Sequence, residues 1–510
     1  MNLSTTHNTP SYTKRALWVI VVLLIIRLIA LILSPYGLHG DEAQYWAWAQ
    51  DLDWGYFSKP PMIAWLIAGT TAIFGDAEWA ARLASPLLHA ATAFLIFLAG
   101  RKAFSSRAGW WASAVYSLMP AVWVSSMIIS TDAALLFFWA AALYAWLSLR
   151  TEPSWRFAAL LGAAIGLGIL SKYAMLFFIP PLFIAAIFDA PTRKVIWSFK
   201  GVMAAIIAGL IIAPNMAWNA AHDFATLSHT ASNTNLEGKT QFFHPFEFLR
   251  FFRDQFGVFG PIPFVLLLIT LAAPWKLRPQ DTQSSLTPPI TYLALFALTP
   301  LLIISVQAFL SRANANWAVT AYPSAALLLG FGAMQITKRK RLLSRGLLMQ
   351  SLFCGFLLVV SLFPNLANSL GAANSVKRLR GWPQTIELIQ ARFADGHETN
   401  NFTAIVVDDR QLFYSLTYYD QPKTASVFIW QNNKAANSHA EMTHPFTQTA
   451  APVDGQPILL INYLDDNQLN LASRFERLEP LAPITIDLGG GKTRTLKAWA
   501  GYGYSHNTPN

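Results

Sequence analysis

The segment SKPPMIAWLIAGTTAIFGD, Ser58–Asp76, decides how this chain is laid out. Its apolar run, 62–75, follows directly on Pro60-Pro61 and falls short of the roughly 20 residues that a bilayer-crossing helix needs. We read it as an interfacial or re-entrant piece. If it spanned, the stretch before it and the chain after it would exchange faces, so the whole topology turns on this run.

Working outward, apolar runs of membrane length follow one another near 16–33, 82–100, 108–124, 132–149, 157–171, 173–189, 201–218, 257–274, 289–309, 317–335 and 346–365. The chain is 54% hydrophobic and 13% charged, a balance that suits lipid and not a soluble surface. This reads as a polytopic α-helical membrane protein of about 11–13 transmembrane helices. The formal charge of +10 sits in short loops between apolar runs, so it points to topology and not to nucleic acid. With 62–75 kept out of the count, Lys14/Arg15, Arg101/Lys102/Arg107, Arg150/Arg156, Arg193/Lys194/Lys200, Lys276/Arg278 and Lys338–Arg341 all fall on one face, the cytoplasmic one. The other face receives loop 34–81, the turn before Asp132, loop 219–256, the turn SRANANW at 311–317 and the C-terminal region. The run 16–33 lacks a cleavage site and reads as a retained first helix. Cys354 stands alone, which excludes an intrachain disulfide and a cysteine metal cluster.

The composition changes near residue 370. We expect a membrane domain over 1–369, with outer loops 34–81 and 219–256, and a small outer α/β domain over 370–510. TAIVVDD, ASVFIW and PILLINYL read as strands, VKRLRGWPQTIELIQARF and DNQLNLASRFERL as helices, and ITIDLGGGKTRTLKAWA as a hairpin. Gly489–Gly491 is read as a turn, since no helix follows for a phosphate loop. Asp408-Asp409 is read as a strand end with a helix N-cap, in preference to a metal site.

Several residues at the outer face carry chemistry. Asp41 and Glu42 follow the first span closely, and a helix there puts Asp41, Tyr45 and Trp48 on one face. Most of the aromatics suit an interfacial belt, but a belt does not need two acids, and a partly desolvated carboxylate can act as a general base. Pro60-Pro61 holds Lys59 extended, which a snorkelling lysine does not need and a phosphate-binding one can use. Asp132, in IISTDAALLFFW, is either a helix cap, as Thr131 could also be, or a site acid. Lys172 interrupts two apolar runs at the same face. Arg312 runs against the inward bias and so calls for an anionic partner; Asn316 lies in the same turn. His229 is a candidate ligand or donor from the long loop, although a loop histidine is usually only solvated.

GDEAQYWAWA, GYFSKPPMIAW and STDAALLFFW resemble the GT-C membrane glycosyltransferases, and within them the protein O-mannosyltransferase and aminoarabinose–lipid A transferase families. The resemblance covers most of 16–335. It implies transfer of a sugar from a polyprenyl-phosphate carrier, at the periplasmic face of a bacterial inner membrane, to a glycan, lipid A, lipopolysaccharide or protein acceptor. It implies Asp41 as base, Lys59 on the carrier phosphate, Asp132 as a second acid of the cavity and His229 from the periplasmic loop. Glu42 and Asp132 would orient groups or hold the sugar; Lys172 and Arg312 are further phosphate candidates, and Tyr56 and Asn316 further substrate candidates. Aminoarabinose transferases carry a metal-linked glutamate before the lysine. Here Ser58 stands in its place, a poor substitute for a carboxylate ligand, which counts against both the metal and that sugar. The expected reaction is a single inverting displacement in which the phosphate leaving group needs charge and no proton. A transporter or flippase of a lipid-linked saccharide is the main alternative, although its ionisable groups would gather near the bilayer midplane. A scaffold would leave the clamped Lys59 unexplained.

Overall fold

The structure, a computed structural model, describes residues 11–233, 243–274, 277, 289–398, 400–431, 436–447, 456–464 and 466–505. Lys276 and Arg278, counted above among the cytoplasmic charges, lie outside the described residues. The chain divides into two compact units: one of residues 1–32, 59–63 and 82–358, the other of 33–58, 64–81 and 359–510.

The first unit is helical. Among the described residues, six helices are long and apolar enough to cross a membrane: Tyr12–Ile32, Glu78–Ala103, Thr131–Thr151, Phe199–Ala221, Ile290–Leu310 and Thr337–Leu362, their ends running a few residues into the second unit in two cases. Two bent pairs, Tyr173–Phe188 with Ala190–Ile196 and Pro245–Phe259 with Pro261–Ala272, raise the number to as many as eight. Proline and glycine explain why further apolar runs do not become single long helices. The run 108–124 emerges as Ser106–Ser117 and Pro120–Ser125, because Pro120 holds Met119 extended (φ −63°, ψ 129°). The run 257–274 turns by 115° at Gly260, whose φ of 96° suits glycine, with Pro261 next. Helix Met62–Phe74 has 13 residues, about 20 Å of length against a hydrocarbon core of about 30 Å.

Small residues let these helices approach. A Cβ on Gly109 would fall 2.4 Å from the Phe97 carbonyl oxygen, so the helices Ala84–Ala103 and Ser106–Ser117 meet backbone to backbone. Aromatic edges fill the interior: Trp139 meets Phe178 at 5.0 Å between centroids and 82°. Arg27, Arg82 and Arg150 are buried among these helices. Arg27 donates to the Ser117 carbonyl at 2.6 Å, where the helix end leaves that oxygen without a helical partner. Arg150 forms a two-pronged pair with Asp189, 2.8 Å on each arm. The sequence reading places Arg150 among the loop charges; it stands instead in the last turn of helix Thr131–Thr151, buried and neutralised.

The second unit holds a five-stranded sheet ordered β2-β1-β3-β5-β4. Its strands are β1 (Ala404–Val407), β2 (Ser426–Ile429), β3 (Ile458–Asn462), β4 (Phe475–Gly489) and β5 (Lys492–Tyr504). β1 runs parallel to β2 and β3, while β5 is antiparallel to β3 and β4. β1 and β3 are buried along their whole length, as their continuous apolar runs require. Gly489, Gly490 and Gly491, at φ of 81°, 63° and 70°, turn the chain between β4 and β5. Asp408 ends β1 and accepts the amides of Tyr463 and Leu464, and Asp409 caps helix Arg410–Tyr419 through the amides of Gln411 and Leu412. Two of the expected helices differ: VKRLRGWPQTIELIQARF is a continuous α-helix only from Trp382, after Gly381 at a left-handed φ of 71°. DNQLNLASRFERL is helical only over Asp466–Leu469; Asn470 takes a left-handed φ of 55° and Phe475 opens β4, where Phe475 packs against Trp430.

Candidate functional site

In the first unit, three elements bring polar side chains together at the start of helix Thr131–Thr151. Asp132, in its first turn, accepts Lys172 Nζ on one carboxylate oxygen and Asn316 Nδ2 on the other, at 2.7 Å each. Lys172 reaches it from the extended residue that ends helix Trp155–Ser171 (φ −164°, ψ 134°). Asn316 comes from the 3-10 turn Ala315–Ala318. Asp132 is therefore not spent on capping: Ser130 occupies the cap position, and both Asp132 oxygens face side chains that are 40 and 184 residues distant. Lys59, half-buried, acts on the Asp132 charge through space. Tyr173, beside Lys172, donates to Asn215 at 3.0 Å and accepts from Asn219. Arg312 is exposed four residues before Asn316, and among the described residues its guanidinium takes no hydrogen bond or ion pair. His229 is half-buried on helix Ala225–Ser232.

In the second unit, helix Gly40–Gln50 carries Asp41 and Glu42 in its first turn. His39 precedes it. The His39 Nδ1 accepts the Asp41 amide at 3.1 Å, and the Glu42 carboxylate accepts the His39 amide at 2.8 Å. This reciprocal cap satisfies donors that the helix start would leave unpaired. It also separates the two acids: Glu42 is buried and turned back on its own helix, whereas the Asp41 side chain is 43% exposed. Asp41 meets Arg410, whose Nη2 lies 2.9 Å from Oδ1 while Nη1 donates to Gln44 Oε1 at 2.6 Å. Sequence reasoning missed Arg410. A signal was available, because an arginine in the first position of a helix sits at the wrong end of the dipole and so calls for an anion.

The aromatics of this helix do not form the expected interfacial belt: Tyr45, Trp46 and Trp48 are buried, with Tyr45 5.3 Å from Trp48 and Trp48 stacked flat on Tyr56 at 4.5 Å and 3°. Tyr56 is buried, with its hydroxyl between the carbonyls of Trp48 and Asp51 and the amide of Asp53. Burial pushes that phenol up to about 12. Its polar end is thus committed to holding the loop before Lys59. Ser58 Oγ accepts from Gln44 Nε2 at 3.5 Å. A hydroxyl beside an amide is a poor donor set for a divalent ion. Among the described residues no group of three or more His, Cys, Asp and Glu side chains could hold one. The residues therefore do not fit the metal implied by the aminoarabinose transferases.

In fold and in matched sequence, the chain is similar to the GT-C membrane glycosyltransferases. Residues 58–218, which include Lys59, Asp132 and Lys172, match the family described as dolichyl-phosphate-mannose-protein mannosyltransferase. The chain is 36% identical to the lipid A galacturonosyltransferase RgtD of Rhizobium johnstonii over 56% of its own length and 59% of that protein's. It is 25% identical to the lipopolysaccharide core galacturonosyltransferase RgtA of the same organism over 38% of its length and 39% of that protein's. It thus spans less than two thirds of the curated relatives it matches. The fold is that of ArnT from Cupriavidus metallidurans. The crystal structure of ArnT bound to undecaprenyl phosphate superposes with a TM-score of 0.63 at 16% identity, over 94% of this chain and 98% of that one.

Proposed function

We propose that this protein transfers a sugar from a polyprenyl-phosphate carrier to lipid A or the lipopolysaccharide core, at the periplasmic face of a bacterial inner membrane. The membrane domain 1–369 would carry the donor lipid, and the α/β region 370–510 would lie in the periplasm. The similarity to lipid A and core galacturonosyltransferases supports a hexuronic acid as the sugar. The neutral Ser58 agrees with this, since a glutamate there would repel a sugar carboxylate.

The observation that carries the reading is the contrast between neighbouring acids. Glu42 is consumed in a helix cap, while Asp41 stays accessible on a rigid first turn. Asp41 removes the proton from the acceptor hydroxyl. That oxygen attacks the anomeric carbon, the bond from carbon to the phosphate oxygen breaks, and polyprenyl phosphate leaves with the bonding pair. The configuration inverts. The leaving group is an anion already, so it needs cations and no general acid. Lys59 and Arg312 would supply that charge. Lys172, tied to Asp132, would hold the second acid and Asn316 in place for sugar hydroxyls. His229 is a further candidate for the donor sugar. Tyr56 would act by fixing the loop before Lys59.

Purified protein incubated with undecaprenyl-phosphate galacturonic acid and lipid A should release undecaprenyl phosphate only when acceptor is present, and lipid A should gain one hexuronic residue by mass spectrometry. Acceptor-independent movement of intact donor across vesicles would overturn the reading in favour of transport. An Asp41→Asn protein that folds and transfers at the full rate would remove the base assignment.

A further inference from the structure

Arg410 lies far outside residues 58–218, and no motif singles it out. We propose that it is a positioning residue for Asp41, fixing one carboxylate oxygen so that the other is left to take the acceptor proton. The inference rests on the reading of Asp41 as base.

The geometry is specific. Asp41 and Gln44 are three apart on one helix, hence on one face. The guanidinium bridges them with separate nitrogens, Nη2 to Asp41 Oδ1 at 2.9 Å and Nη1 to Gln44 Oε1 at 2.6 Å. A planar fork can do this, whereas a lysine has a single nitrogen and cannot place two donors in that fixed, separated geometry. The base of Arg410 is itself anchored. Asp409 caps the helix that begins at Arg410, and that helix abuts the start of helix Gly40–Gln50 so closely that a Cβ on Gly40 would lie 2.5 Å from Gln411 Cγ. The second oxygen of Asp41 is different. His39 Nδ1 lies 3.9 Å from it, and that nitrogen already accepts the Asp41 amide proton, so it has no proton to give. Among the described residues, Oδ2 has no hydrogen-bond donor, and the side chain is open enough to reach. A carboxylate held by one oxygen and bare at the other is a directed base. Without Arg410 it would rotate freely, and productive encounters would become rarer.

The test uses the full chain with undecaprenyl-phosphate galacturonic acid and lipid A. Arg410→Ala should lower kcat roughly 10–100-fold with KM for the donor within about twofold, the range that misplacement of one catalytic group produces. Arg410→Lys should stay close to Arg410→Ala, and added methylguanidinium should restore Arg410→Ala several-fold while leaving Asp41→Asn inactive. If Arg410→Ala unfolds, Arg410→Gln carries the same reading. Wild-type kcat in the folded variant overturns the inference, and so does a fall in kcat that methylguanidinium does not rescue. Full activity of Asp41→Asn overturns the base reading instead; an inactive Asp41→Asn beside an unaffected Arg410→Ala overturns the positioning role alone.

Discussion

Lys172 Nζ stands 2.7 Å from Asp132 Oδ1, with 22% and 11% of their side chains exposed. The pair joins the break after helix Trp155–Ser171 to the start of helix Thr131–Thr151, so neither partner is a lone charge left at the membrane edge. Removing one partner strands the other in a place with little water. Asp132→Ala and Lys172→Ala should each lower stability by about 3 kcal/mol. The double variant should cost clearly less than the sum of the two. Thermal unfolding in detergent reads this coupling. Additive losses would mean that the contact contributes nothing of its own.

Arg150 and Asp189 are more deeply buried, at 3% and 4% side-chain exposure, and Thr192 gives the carboxylate two further donors. Asp189→Ala should cost about 3–5 kcal/mol because the guanidinium is left uncompensated. Arg150→Met, which removes the other charge in the same background, should recover part of that loss. Arg150→Lys keeps the charge and loses the fork, so it should fall between wild type and Asp189→Ala.

Tyr56 gives a pH-dependent expectation. Its phenol titrates near 10 when unfolded and about 12 in the folded protein, because burial penalises the phenolate. The folded state therefore holds this proton more tightly. The associated stability is complete below pH 10 and is lost as pH rises from about 10 to about 12. Tyr56→Phe keeps the stack on Trp48 and has no proton to lose. The stability gap between wild type and Tyr56→Phe should narrow across that window, measured by chemical denaturation at fixed ionic strength. A gap that stays constant would contradict the shift.

The sequence makes the bundle legible because lipid demands long apolar runs, and these are visible one at a time. It hides the breaks less well than it seems: Pro120, Gly260 and Pro261 were readable as punctuation, yet hydropathy alone runs straight through them. The strands β1 and β3 were readable because buried parallel strands are continuously apolar. The stretch after Leu469 misled because Leu469 and Leu471 suit a helix, whereas Phe475 becomes a strand residue by pairing with Tyr504 of β5, a partner distant in sequence. Asp41 and Asp132 were legible as acids beside apolar runs. Their partners were not: Arg410 is 369 residues from Asp41 and Asn316 is 184 from Asp132, and no local pattern carries such distances. Arg27 is a different case. A lone arginine within an apolar helix was a visible request for a partner, met by the Ser117 carbonyl.

Arg312 supplies the most direct test of the proposed site for a carrier phosphate. Lys172 is paired with Asp132, whereas Arg312 is exposed and its guanidinium is uncommitted among the described residues. A free guanidinium can meet a phosphate with two parallel hydrogen bonds, which a lysine cannot reproduce. If it holds the carrier phosphate in the ground state and in the transition state alike, Arg312→Ala should raise KM for undecaprenyl-phosphate galacturonic acid about tenfold and leave kcat nearly unchanged. If it meets only the charge that develops as the phosphate departs, kcat and kcat/KM should fall together by about 100-fold. Arg312→Lys should recover part of the loss in either case. Steady-state kinetics with varied donor at saturating acceptor distinguish the two. Wild-type values for both constants in Arg312→Ala would remove Arg312 from the phosphate site and leave Lys59 as the cation proposed there.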